Sequence, residues 1–337
     1  MKVRKLMGAL CVAGLLSSAT ASAVQAAEAV AVLHWWTSGG KSKAVGVLKD
    51  DMTKYGYQWK DFAVAGSAGA AAMTALKTQV ISGNAPSAAQ IKGPPLIQEW
   101  AEQGVLVPID SVAGDWKKNL PPEIDKIIHA DGHYVAAPFS VHRVNWLYIN
   151  KAALDKAGGK APTTWPEFFQ VADKMKAAGI MPIAMGGKPW QDLTLWEDVV
   201  LSQGAAFYKK AIVDLDQKML TSPQMVQVQV FDTARKIQGY FDSGRTGRDR
   251  NLANAMVING KAGMQFMGDW AKGEFAGAGK KSGTDYVCAP VPGNDKAYTF
   301  NVDSFVFFQQ KDQKAATPSQ LALAKTITTP DSRNSSA

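Results

Sequence analysis

The sequence predicts an α/β chain folded as two lobes around a cleft. Three observations carry this. Short apolar runs alternate with segments of helical spacing, the pattern of strands linked by crossing helices. The 337 residues exceed what one hydrophobic core ordinarily serves. Finally, Ala31-Val-Leu-His-Trp-Trp-Thr-Ser-Gly-Gly-Lys41 reads as a buried strand running into two tryptophans, a Ser/Gly turn and a helix start. Adjacent strand residues point to opposite faces, so one of Trp35 and Trp36 packs inward while the other stands over the strand's C-terminal edge. A ring at such an edge is a platform for the apolar face of a ligand. Two core tryptophans are the plainer alternative, because tryptophan is highly buried on average.

The elements follow in order. Ala29–His34 is a buried strand, and 42–55 has helical spacing with Thr37 or Ser38 as N-cap. A second strand spans 59–65. An Ala-rich helix over 68–82 stops at Gly83-Asn-Ala-Pro86, a third strand covers 88–91, and the helix 94–103 ends at Gly104. Pro138 to Asn150 gives two extended segments, the second strongly β-prone. A helix over 151–157 follows, and Thr164-Trp-Pro-Glu167 opens another, with Thr164 as cap and Pro166 near N1. The stretch 184–190 is a strand-to-loop edge. Helical patterns then cover 193–203, 207–213, 223–240 and 253–258. Residues 262–267 form a strand ending in Gly268-Asp-Trp270, further strands lie at 286–290 and 303–309, and 321–327 is helical.

The N-terminus reads as a secretory signal over 1–27. Lys2, Arg4 and Lys5 precede an apolar run from Leu6 to Leu16, too short to span a bilayer, and Ala21-Ser-Ala23 offers a cleavage site. This predicts export to the periplasm. The formal charge of +8 falls to about +5 without the three leader cations. The cations are scattered, and the one cluster, Arg245-Thr-Gly-Arg248-Asp-Arg250, reads as a solvated loop, so no nucleic-acid partner is expected. Removing the leader removes Cys11 and leaves Cys288 alone in an exported chain, where an unpaired cysteine is a free thiol or has lost its partner.

Most catalytic signatures fail. Gly66-Ser-Ala-Gly69 lacks the third glycine of a dinucleotide loop. Gly40-Lys41-Ser42 has the tail of a phosphate loop, but Trp35 stands where the first glycine belongs. His129 and His133 flank an Asp-Gly turn and would not share a helix face, so no metal site and no cofactor are expected. There is no Gly-x-Ser-x-Gly elbow. Asp192, Glu197, Asp269 and Asp303 lie near cleft edges, which leaves a pair of acids for glycoside cleavage open.

Six segments carry a resemblance: Leu33-His-Trp-Trp-Thr-Ser-Gly-Gly40, Ala89-Gln-Ile-Lys-Gly-Pro94, Val141-His-Arg-Val-Asn-Trp146, Gly187-Lys-Pro-Trp-Gln191, Met267-Gly-Asp-Trp270 and Phe300-Asn-Val-Asp-Ser-Phe305. In these the chain resembles the periplasmic sugar-binding proteins of ABC importers (extracellular solute-binding proteins, family 1), and more narrowly the glucose/mannose-binding members. The resemblance implies the type II periplasmic binding protein fold, with lobe 1 at 28–137 plus 299–331 and lobe 2 at 138–298. It implies a monomer that closes on a monosaccharide, glucose or mannose, and delivers it to an inner-membrane ABC permease. Trp35 and Trp36 would wall lobe 1 and Trp270 would face them from lobe 2. Lys92 would donate, Asp303 would accept hydroxyl protons beside Asn301, and Trp190 and Gln191 would add contacts. Lys41 replaces the family's usual Glu. A carboxylate that accepts hydroxyls becomes a cation that cannot, which changes sugar preference or turns Lys41 out to solvent.

The resemblance also implies a longer C-terminus. Relatives read Pro-Asp-Phe-Gln-Glu-Gln-Phe-Ser where this chain reads Pro330-Asp-Ser-Arg-Asn-Ser-Ser-Ala337. Deleting one T from GAC TTC CAG GAA CAG TTC AGC yields codons for Asp-Ser-Arg-Asn-Ser-Ser and the start of Ala. The expectation is an out-of-frame tail at 332–337, an incomplete lobe 2 and a lost partner for Cys288. A secreted carbohydrate-active enzyme and an inactive fragment stand as the alternatives to sugar capture.

Overall fold

A computed structural model describes residues 27–329, apart from 38, 67–68, 115, 226–229 and 312. The expected leader, almost entirely, and the expected out-of-frame tail lie outside the described residues, as does Ser38, one of the two cap candidates.

The first lobe begins β1 (Ala29–His34), α1 (Gly39–Lys54), β2 (Gln58–Ala63), α2 (Ala70–Ile81), β3 (Ala88–Lys92), α3 (Pro94–Glu102). Short helical turns at Asp110–Ala113, Trp116–Asn119 and Pro122–Ile127 lead to the hairpin β4 (His129–Ala130) and β5 (His133–Tyr134), then β6 (Ala136–Arg143). The turn read between His129 and His133 is thus the tip of a two-stranded hairpin. The second lobe runs β7 (Trp146–Asn150), α4 (Lys151–Lys156), α5 (Trp165–Ala177), β8 (Met181–Ile183), α6 (Pro189–Leu201). After Ala205–Tyr208 and a π-helical turn at Lys209–Val213 come α7 (Val230–Gln238), α8 (Arg250–Ile258), β9 (Ala262–Met267), α9 (Ala271–Gly277) and β10 (Tyr286–Pro290). The chain then returns to the first lobe as β11 (Phe300–Phe307) and α10 (Pro318–Thr328).

Two main sheets result, β2-β1-β3-β11-β6 and β10-β7-β9-β8, beside the two-stranded β4-β5. In the first, β1 pairs in parallel with β2 and β3, and β11 runs antiparallel between β3 and β6. Each main sheet is covered on both faces, so its strands alternate between two apolar layers. On β1, Val30 and Val32 join Leu48, Phe305 and Leu323, while Leu33 joins Leu76, Ile91 and Trp100. On β7, Leu147 and Ile149 pack with Phe168 and Phe266, while Tyr148 packs with Val257 and Phe275.

Local chemistry sets the helix ends. Thr164 caps α5 by accepting from the Glu167 backbone N–H, and Glu167 returns the bond, so the expected cap is a full capping box. Strand Met181–Ile183 ends just before 184–190, the expected strand-to-loop edge, and Pro189 opens α6 at the end of that stretch.

One boundary moves. The expected start of lobe 2 at 138 falls inside β6, which stays in the first sheet through Arg143, opposite Phe300. Val144 and Asn145 therefore make the first crossing, and residues 291–299 make the return. Asn145 is fully buried between them: its Oδ1 accepts from Arg143 Nε at 3.2 Å, and its Nδ2 donates to the Ala297 carbonyl at 3.3 Å. The lobes also meet away from this hinge, where Gly40 in α1 packs on Gly273 in α9. Cys288, in β10, is a half-buried free thiol.

Candidate functional site

A cleft of about 220 Å³ opens between the lobes, at the C-terminal ends of β1 and β3 and along β11. It is smaller than the roughly 300–1,000 Å³ of drug-sized pockets.

Trp35 and Trp36 leave β1 on opposite sides. Trp36 is the inward one, 3% exposed, its ring 4.8 Å from Phe139 and 6.1 Å from Phe305. It is a core residue that also floors the cleft. Trp35 is the half-buried wall; its backbone N–H donates to Gln90 Oε1 at 3.2 Å. Gly69, at φ +97°, backs its ring so closely that a Cβ would lie 2.9 Å away, which only glycine permits.

Asp303 sits on β11 between Lys92 of β3 and Ser140 of β6, beside a register shift at Asp303/Ser304. It is 5% exposed. Burial pushes its pKa up, but the His142 bond and the Lys41 and Lys92 charges more than offset this and hold it below the ordinary carboxylate value. The cleft thus keeps an ionised acceptor. Lys41 does not turn out to solvent. Its side chain is 15% exposed, with Nζ 2.7 Å from His142 Nε2, 3.8 Å from Asp303 Oδ2 and 4.6 Å over the Trp36 ring. Burial lowers its pKa against the pull of Asp303 and Asp269.

The second lobe supplies the facing wall. Trp270 follows β9, with Gly268 so close beneath its ring that a Cβ would lie 2.4 Å away. Trp190, at the start of α6, lies 6.3 Å from Trp270, and Lys92 Nζ is 5.9 Å over the Trp190 ring across the cleft. Trp270 and Asn301 both line this space, while Trp270 Nε1 and Asn301 Oδ1 are shielded from solvent and have no partner in the protein. A buried polar atom without a partner costs free energy.

Gln191 is not part of this wall. It is fully buried inside the second lobe, packed on Gly186, because its place in the first turn of α6 turns it away from the cleft that Trp190 lines. Sequence reasoning missed His142, Asp249 and Arg250 as lining residues. His142, on β6, stands in register with Asn301. Arg250 is ion-paired with Glu274 at 3.3 Å, at the N-terminus of α8.

The four acids left open as a glycosidase pair are otherwise engaged. Asp269 and Asp303 both bond His142, Asp192 pairs with Arg245, and Glu197 bonds Tyr208. Among the described residues no group of His, Cys, Asp or Glu is arranged to hold a metal. The cleft brings together aromatic walls and fixed polar groups from two lobes.

Comparison with known proteins agrees. A chain from Brucella melitensis called "probable sugar-binding periplasmic protein" is 50% identical over 326 residues, covering 96% of this chain and 76% of its own length. One of the same description from Rhizobium meliloti is 49% identical over 330 residues, covering 97% and 78%. Among solved structures, a chitin oligosaccharide binding protein superposes with TM-score 0.76 at 19% identity, covering 91% of this chain and 78% of its own. The bacterial solute receptor AcbH, described as preferring β-D-galactopyranose, superposes with TM-score 0.71 at 20% identity, covering 92% and 77%. Residues 53–333 match the family described as bacterial extracellular solute-binding protein, and the chain belongs to that family.

Proposed function

We propose that this protein captures one monosaccharide, D-glucose or D-mannose, in the periplasm and delivers it to the inner-membrane permease of an ABC importer. It works as a monomer and makes or breaks no bond. The observation that carries this reading is the cleft itself: tryptophans from both lobes flank a buried, ionised Asp303, with Asn301 and Lys92 beside it. Rings take the C–H faces of a sugar while Asp303, Asn301 and Lys92 take its hydroxyls. The names of the Brucella and Rhizobium relatives support the same class of ligand.

A glycosidase needs two carboxylates about 5–5.5 Å apart, or roughly 6.5–9.5 Å with a water between them. Here Asp269 and Asp303 both lie against one imidazole, His142, rather than facing each other across an open site. The test is thermal unfolding with and without sugar. A hundredfold excess over Kd stabilises the folded form by about 2.7 kcal/mol. Stabilisation by glucose or mannose, with disaccharides recovered intact, is expected. Product release from a disaccharide with no shift on either hexose would favour the enzyme.

A further inference from the structure

His142 stands where the lobes meet, and its two ring nitrogens serve different lobes. Nδ1 donates to Asp269 Oδ1 at 2.6 Å, and Asp269 Oδ2 accepts the Arg143 backbone N–H at 3.0 Å. The Asp269 backbone N–H donates to the Arg143 carbonyl at 2.9 Å. Three bonds thus pin residue 269 of the second lobe to the end of β6, and Trp270 is the next residue. Its ring meets the imidazole edge-on at 5.5 Å between centroids.

On the other side, Nε2 lies 2.7 Å from Lys41 Nζ, 2.8 Å from Ser140 Oγ and 3.4 Å from Asp303 Oδ2. The groups facing the ring are therefore Lys41 from α1, Asp303 from β11, Asp269 after β9 and the Ser140 hydroxyl on its own strand. Lys92 and Arg250 act at one remove, on Asp303 and Lys41.

Two protonated nitrogens cannot share a contact of 2.7 Å. With the ring uncharged, Nε2 accepts from the Lys41 ammonium and Asp303 keeps its oxygens for a ligand. With the ring charged, Nε2–H turns to Asp303, displaces Lys41 and occupies the acceptor.

We propose that His142 is a positioning residue of the cleft: through Asp269 it holds the Trp270 ring opposite Asp303, and only its uncharged ring leaves Asp303 free to accept a ligand hydroxyl. This rests on the monosaccharide reading. Burial works to lower the imidazole pKa, but the bonds to Asp269 and Asp303 more than offset it and leave the pKa above its ordinary value. Capture of sugar then releases a proton.

The experiment is calorimetric titration of the protein with D-glucose and D-mannose between about pH 5.5 and 8.5, in paired buffers of low and high ionisation heat. Affinity is expected to rise about tenfold across this range, with up to one proton released per sugar. His142→Asn keeps a donor for Asp269 and cannot titrate; its affinity should vary less than about twofold, with no proton release. Wild-type binding that is independent of pH and buffer would overturn the proposal, as would a folded His142→Asn with the wild-type slope. Should His142→Asn not fold, the paired-buffer result on the wild type decides alone. Hexose binding without proton release contradicts this inference only, whereas no hexose binding at any pH contradicts it together with the proposed function.

Discussion

Closure of the lobes is readable at one contact, and Gly40→Leu tests it. A Cβ on Gly40 would lie 3.4 Å from the Gly273 Cα of the opposite lobe, and the rest of a leucine would have to enter the backbone of α9. Overpacking of this kind costs about 1–3 kcal/mol. The cost falls on the closed form alone, because an open cleft gives the side chain room. Apparent sugar affinity should therefore weaken about 5- to 150-fold. Stability without ligand should not fall, since leucine is a better helix former than glycine by up to about 1 kcal/mol. Gly46→Ala is the control: Gly46 lies mid-α1 with nothing within 4 Å of its added Cβ, so it should stabilise by about 0.5–1 kcal/mol and leave binding unchanged. Calorimetric titration and urea unfolding measure both quantities. Wild-type affinity in Gly40→Leu would refute the closing contact, and loss of ligand-free stability would show that it belongs to the resting fold.

Trp270→Ala should weaken sugar binding by about 1–3 kcal/mol with the fold retained, whereas Trp36→Ala should cost about 3–5 kcal/mol of fold stability in urea because its ring is core. Thr164→Ala removes the α5 capping box and should cost about 1 kcal/mol in urea without touching binding. Two histidines should titrate stability in opposite directions. His34 is lowered by burial despite its bond to Asp61, so its contribution is present above the unfolded value of about 6.5 and is lost as pH falls below it. His142 is raised, so its contribution is full below about 6.5 and is lost as pH rises through the folded value. Unfolding curves of His34→Gln and His142→Asn across that range check both signs.

Strand placement was legible because apolar runs such as 29–34 and 262–267 are buried on both faces and bounded by turn residues. The cleft was largely legible too, since Trp35, Lys92, Trp190, Trp270, Asn301 and Asp303 all meet in it. Which tryptophan packs inward was not, because alternation gives the opposition of Trp35 and Trp36 but not its sense; Phe139 and Phe305, distant in sequence, decide it. Gln191 was misplaced because neighbours at a helix start point about a quarter-turn apart, so Trp190 lining the cleft sends Gln191 inside. The role of His142 was not legible, because it arises from groups on α1, β11 and the turn after β9. The first crossing was set early because the length of β6 depends on its pairing with β11, which local sequence does not show.

The most direct test of sugar capture between the lobes is a crystal structure of the protein grown with D-glucose. The account predicts one intact hexose in the cleft, a face of its ring on Trp270, its hydroxyls on Asp303, Asn301 and Lys92, and Gly40 closed on Gly273. An empty cleft at saturating sugar, a hexose bound elsewhere, or a ring with no contact to Asp303 or Trp270 would contradict it.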